Sequence, residues 1–144
     1  WYRWPMPSSP KLVLVILAVR DLSRAVAFYR EVFDWLVLVE VPVYVEMEMP
    51  GGQRLGLYHH EGFARNTGLR AASPPEGHTA ATELYFHTED PVTTMDRLER
   101  AGARLLSPMS ARPWGDEAAY FADPEGNVIV VARSAVSSRA PTTG

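Results

Sequence analysis

The chain contains no cysteine. That absence removes disulfide frameworks, thiolate metal sites and cysteine nucleophiles together, and it is compatible with a reducing compartment. Long hydrophobic runs are missing as well. The longest, LVLVILAV at 12–19, falls far short of the ~20 residues a spanning helix needs, so no membrane partner is expected. Positive charge is not in excess: 14 Lys and Arg against 17 Asp and Glu leave a net charge of -3. The arginines are scattered among acids, which argues against a nucleic-acid partner. The nucleophile elbow, phosphate loop and dinucleotide fingerprint are absent. GGQRLG at 51–56 has the glycines, but it sits between strand signals and no helix follows to hold a phosphate. The opening WYRWPMPSSP lacks the apolar core of a signal peptide, so the cytoplasm is the expected location, and numbering that starts on Trp1 fits a segment of a longer chain.

What is present is an average globular composition, 47% hydrophobic and 22% charged, on a length suited to one domain. After Asp21, LSRAVAFYREVF carries apolar residues at 22, 25, 26, 29, 32 and 33, the spacing of one helical face, with Asp21 as cap. DPVTTMDRLERAG repeats the plan, with Asp90 as cap, Pro91 at the first position, Val92, Met95, Leu98 and Ala101 on one face and Gly102 as the stop. Asp21 and Asp90 are 69 positions apart, and the same shift places Val26 on Met95, Tyr29 on Leu98 and Val32 on Ala101. An internal duplication follows. Strand signals come after each helix: WLVLVE, VYVEMEM and RLGLYHH, then ARLLS, EAAYF and NVIVVAR. Gly51 with Gly52, and DPEGN at 123–127, supply the turns between the last two strands of each half.

The predicted fold class is therefore α+β, built from two βαβββ modules. Module one spans 11–61, a Gly- and Pro-rich connector 62–80, and module two 81–135. An aromatic and Pro-rich extension (1–10) and a frayed tail (136–144) flank them.

VRDLSRAVAFYREVFDW at 19–35, the Phe28–Tyr29 pair and PWGDEAAYFADPEGNVIVVA at 113–132 together resemble the vicinal oxygen chelate superfamily: glyoxalase I, extradiol dioxygenases and bleomycin-resistance proteins. The resemblance covers about 11–133. It implies two half-barrels facing one another, often across a dimer, around a cavity. Metal-dependent members take four His, Gln or Glu ligands from the first and last strands of both modules. Seven residues before each capping aspartate stand Leu14 and Glu83, and the matching last-strand positions are Gly56 and Val130. Three of these four side chains cannot bind a metal, and a shift by one residue meets only apolar neighbours on the opposite sheet face. No metal and no cofactor is expected.

Strand alternation places Glu83, Tyr85 and His87 on one face, and Arg54 and Tyr58 beside Gly56 on another. With Trp114 these are the candidate ligand-binding residues, apolar walls carrying a few polar groups. Glu83 is also the candidate general base; the structural alternative is a Glu83–Arg54 pair, or solvent exposure of both. His59 and His60, neighbours on a strand, should point to opposite faces, and an unconventional set of Glu83, His87 and His59 is the residual metal possibility. The resemblance thus favours a metal-independent, homodimeric small-molecule-binding protein like those of bleomycin (antibiotic) resistance, sequestering an apolar or aromatic ligand. The alternatives are a glyoxalase-like enzyme using Glu83, or a divergent metal-dependent lyase or dioxygenase.

Overall fold

A computed structural model describes residues 8–135, so the tryptophans and tyrosine of the first four positions, and the C-terminal tail, lie outside the described residues. Module one comprises β1 (Leu14–Val19), α1 (Leu22–Phe33), β2 (Leu36–Val41), β3 (Tyr44–Glu48) and β4 (Arg54–His59). A further helix, α2 (His60–Thr67), leads into the connector. Module two repeats the order with β5 (Glu83–His87), α3 (Pro91–Arg100), β6 (Arg104–Ala111), β7 (Asp116–Ala122) and β8 (Val128–Ser134). Each module forms one mixed sheet, ordered β1-β4-β3-β2 and β5-β8-β7-β6. The first strand runs parallel to the last in both, with Ile16 opposite Gly56 and Tyr85 opposite Val130.

The helices form where capping and apolar spacing coincide. The Asp21 carboxylate accepts from the Arg24 N–H at 3.1 Å, and that of Asp90 from the Thr93 N–H at 3.2 Å, satisfying donors that the first turn leaves unpaired. The helix α1 ends where Asp34 turns left-handed, at φ 52°. The helix α3 stops at Gly102, whose φ of 94° suits only a residue without a Cβ. Val92 is a correction to the predicted apolar face: it is exposed, whereas Leu98 is buried as expected and Pro91 is buried with it. The helix α2 also departs from expectation. EGFARNTG holds one phenylalanine and one alanine as its apolar content, too little for a periodic face to show, and α2 is held by packing on β4.

The helix-bearing faces of both sheets meet in one core. Leu17, Leu55 and Leu57 from module one and Leu98, Phe121, Ile129 and Val131 from module two belong to the same buried cluster. Phe33 and Trp35, at the end of α1, stack at 4.3 Å between ring centroids, and both rest on Phe86 of β5. The DPEGN turn clasps the modules together. The Tyr29 hydroxyl of α1 donates to the Asp123 carboxylate at 2.6 Å, fully buried. Asp123 also accepts from the backbone N–H groups of Glu125 and Asn127 and from the Asn127 amide. Glu125 reaches across to accept from the Arg20 and Asp21 N–H groups.

Burial, then the neighbouring Asp123 charge, pushes the Tyr29 phenol well above its ordinary range, so it stays a donor at any physiological pH. Tyr29→Phe leaves a buried carboxylate one donor short. Urea unfolding should show a loss of about 1–3 kcal/mol, and an unchanged midpoint would mean that the bond does not join the modules.

Candidate functional site

The opposite face of each sheet lies outside the common core, and the residues facing it follow from register. In sheet one, Gly56 of β4 has Ile16 of β1 on one side and Glu46 of β3 on the other. Arg54 and Tyr58, two residues to either side, share this face as expected. Glu46 did not figure among the sequence candidates, yet it is one of the few buried charged residues. Its carboxylate accepts from the Tyr44 hydroxyl at 2.7 Å and from the Arg54 guanidinium at 3.3 Å. Burial first, then the bond to Glu46, raises the Tyr44 pKa, so this phenol is a permanent donor. Arg54 therefore pairs with Glu46 and not with Glu83. The signal for Glu46 was its place in VYVEMEM, where alternation puts Tyr44, Glu46 and Glu48 opposite Tyr58, Gly56 and Arg54.

Gly56 has a physical role. A Cβ there would lie 2.4 Å from the Tyr44 hydroxyl and within 3 Å of two of its ring carbons. The phenol thus fills the space where a last-strand ligand side chain would project. Tyr58, one position further on the same face, lies under α2: a Cβ on Gly62 would come 2.3 Å from its ring, and Asn66 donates to its hydroxyl at 3.2 Å.

Sheet two gathers three of the predicted residues around one that was not predicted. Asp116, at the start of β7, accepts a short hydrogen bond from the Tyr85 hydroxyl and holds His87 Nε2 at 2.8 Å. The Trp114 indole N–H donates to the Tyr85 oxygen at 2.8 Å, while its ring remains 57% exposed. The floor beside this cluster is small and apolar: Ala118, Val130 and Ala132 are buried together, flanked by Tyr120. The Arg112 guanidinium lies over the Tyr120 ring at 4.9 Å, fixed by Ser107 and by the carbonyls of Pro108 and Ala118. Asp116 was missed because the sequence marks it only as the residue after a turn glycine; its partners come from β5, some thirty positions away.

Glu83 stands exposed at the start of β5, opposite Val128, on the same face as Tyr85 and His87 and in none of the side-chain hydrogen bonds or ion pairs among the described residues. His59 and His60 do not alternate on a strand: α2 begins at His60, and the two rings touch with centroids 4.7 Å apart. Trp35 is core. Among the described residues no group of three His, Cys, Asp or Glu comes together as metal ligands, and the polar contacts of each open face stay within its own module. A divalent ion does not fit the donor set present. Leu14, Gly56 and Val130 offer no ligand, and the one buried carboxylate nearby is already engaged by Tyr44 and Arg54.

The family described as Glyoxalase-like domain matches residues 12–136, and the chain belongs to it. Among solved structures, a glyoxalase-related enzyme from Fulvimarina pelagi is 26% identical, with a TM-score of 0.76 over 86% of this chain and 88% of that one. A glyoxalase/bleomycin resistance protein/dioxygenase from Nocardioides is 24% identical, with a TM-score of 0.74 over 96% and 93%. A lactoylglutathione lyase from Agrobacterium tumefaciens is 24% identical, with a TM-score of 0.65 over 94% and 100%. No curated protein matches the chain. The fold is thus the two-module α+β fold of that family, consistent with the vicinal oxygen chelate superfamily. Among the described residues no helix is long and apolar enough to cross a membrane.

Two outcomes test this geometry. Gly56→Ala should cost about 1–3 kcal/mol by driving the Tyr44 ring off the sheet, and should cost nothing further in a Tyr44→Ala background, a coupling read by a double-mutant cycle in urea. The Asp116 carboxyl is held below its ordinary range by the Tyr85 hydrogen bond and then by His87. A depressed carboxyl stabilises the fold above about pH 3.9 and loses that contribution as pH falls through the folded value. Tyr85→Phe should therefore raise the Asp116 titration midpoint seen by carboxyl-carbon NMR; an unmoved midpoint would mean the bond is not formed.

Proposed function

We propose that this chain is a metal-independent small-molecule-binding protein of the bleomycin-resistance type, acting in the cytoplasm as a homodimer. The observation that carries this reading is the open face of sheet two. A half-exposed indole, a phenol and an imidazole surround one carboxylate over a floor of alanine and valine. Apolar walls with a few fixed polar groups are the usual make-up of a ligand site. Trp114 and Tyr85 would stack on a planar aromatic ligand, and Asp116 would receive its cation or hydrogen-bond donor, with its lone pairs oriented by Tyr85 and His87. Arg54 and Tyr58, on sheet one, and Glu83, at the near end of β5, would line the rest of the cavity.

Dimerisation is supported by uncovered apolar surface on both edge strands of sheet one. Leu12 and Val13 just before β1, Val15 in it, and Leu36, Leu38, Val39 and Val41 along β2, are exposed in the single chain. A second copy covering them would bring an open face of its own over the cluster and close the cavity, as isologous contacts do.

A second reading is favoured by one contact. The imidazole of His87, held by Asp116 at 2.8 Å, has the arrangement of a general base with its orienting carboxylate, so a glyoxalase-like proton transfer could be run by His87, or by Glu83 on the same face. Metal-dependent lyase or dioxygenase chemistry is disfavoured by the residues at the four ligand positions.

The test is equilibrium dialysis against a panel of aromatic cations that includes bleomycin, with thermal-shift titrations of Ni(II), Zn(II), Mn(II) and Fe(II) alongside. Binding to the dimer that weakens about tenfold or more in Trp114→Ala and Asp116→Asn is the expected result. One equivalent of metal retained after dialysis, or turnover of a hydroxy-keto or thiohemiacetal substrate lost in His87→Gln, would overturn it.

A further inference from the structure

The connector is long for a link between two modules, and its course explains the length. After α2 it runs back across the module junction and is pinned on the DPEGN turn. The Ala80 N–H donates to the Gly126 carbonyl at 2.8 Å, and Pro74 packs where a Cβ on Gly126 would stand, 2.8 Å away. Beneath this roof lies a crevice of about 440 Å³, with Ile16 and Ala18 of β1 as floor, Phe63 of α2 as wall, and Ala72, Pro74 and Thr82 from the connector and its end. Its lining is mainly apolar. A second, wider space of about 480 Å³ adjoins it, and the two share Arg20, Pro74, His78 and Glu125 in their linings.

Three arginines and three carboxylates line the wider space. Arg20, Arg24 and Arg104 line it, and none of the three forms an ion pair among the described residues. The carboxylates there keep their charge but point their oxygens at other donors or lie on the roof. Asp123 is used by Tyr29 and Asn127, Glu125 accepts from the Arg20 and Asp21 N–H groups, and Glu76 belongs to the connector beside His78. An apolar chamber that opens onto unpaired guanidiniums is complementary to one kind of molecule, an amphiphile with a hydrocarbon body and a single negative head.

We propose that the connector crevice is a second ligand site, separate from the sheet-two cluster, that takes a small organic carboxylate with an apolar body. The chain of the ligand lies between Ile16, Ala18 and Phe63, and its carboxylate meets Arg20 and Arg104 at the mouth. No residue of the Trp114, Tyr85, His87 and Asp116 cluster lines either part of this space. The site therefore stands or falls independently of the function proposed above.

Octanoate is the probe, with octylammonium as the control of opposite charge, followed by amide NMR on the full chain. Saturable shifts should map to Phe63, Ala72, Thr79 and Arg20 with octanoate and be absent with octylammonium. The double variant Arg20→Gln/Arg104→Gln, altered only at exposed positions, should bind octanoate about five- to tenfold more weakly, the loss expected for two exposed charge contacts. Ala72→Leu should block the chamber, and Trp114→Ala should leave octanoate binding unchanged. Equal shifts from both amphiphiles, octanoate affinity untouched by the arginine changes, or shifts centred on Trp114 would each overturn the proposal.

Discussion

The buried hydrogen bond from Tyr29 to Asp123 joins residues 94 positions apart, and the relation between the two modules depends on it. Its donor sits on the inner face of α1 and its acceptor at the corner of the last hairpin. Neither can reach water, so each requires the other. The same turn then commits its remaining groups. Asn127 accepts from Thr82 just before β5, Glu125 covers the first N–H groups of the α1 entry, and Gly126 receives the connector. One pentapeptide thus fixes α1, β5 and the connector relative to β8. That arrangement holds the helix-bearing faces in a single core and leaves the other faces outside it.

On those faces the decisive constraint is space as much as charge. Glycine at position 56 admits the Tyr44 ring, which in turn orients Glu46 beside Arg54, so a strand position that could have projected a ligand instead supports a neutral phenol and a neutralised carboxylate. In the second module the corresponding register row is Tyr120 beside Val130, and Arg112 stacks on the phenol. The polar cluster of this face lies at its rim, where Asp116 gathers Tyr85, His87 and, through Tyr85, Trp114. Both modules keep the scaffold of the duplicated unit while filling the centre of the sheet with aromatic side chains.

The fold was legible because its signals are local and repeated. Asp21 and Asp90 cap helices through their own first turns, Gly51, Gly52 and Gly126 take the positive φ that the turns need, and apolar spacing marks the strands. The helix α2 was not legible, since its stability comes from Tyr58 beneath Gly62 and not from a periodic face of its own. The site was legible in part. Alternation put Tyr85 and His87 together and Arg54 with Tyr58 on the correct faces, but it could not supply partners. Glu46 and Asp116, the two carboxylates around which those residues organise, become visible only when β3 is laid on β4 and β7 is brought across to β5.

The sequence alone determined the duplicated βαβββ plan, the two capped helices and the glycine turns. These depend on the chemistry of each residue and its near neighbours. Tertiary structure decided that Arg54 pairs with Glu46 rather than Glu83, that His59 touches His60, that Asp116 collects Tyr85 and His87 and, through Tyr85, Trp114, and that the connector roofs a mainly apolar crevice with Arg20 in its lining. Those outcomes rest on register and on contacts across tens of residues, where burial and hydrogen-bond satisfaction select a partner that local pattern does not specify.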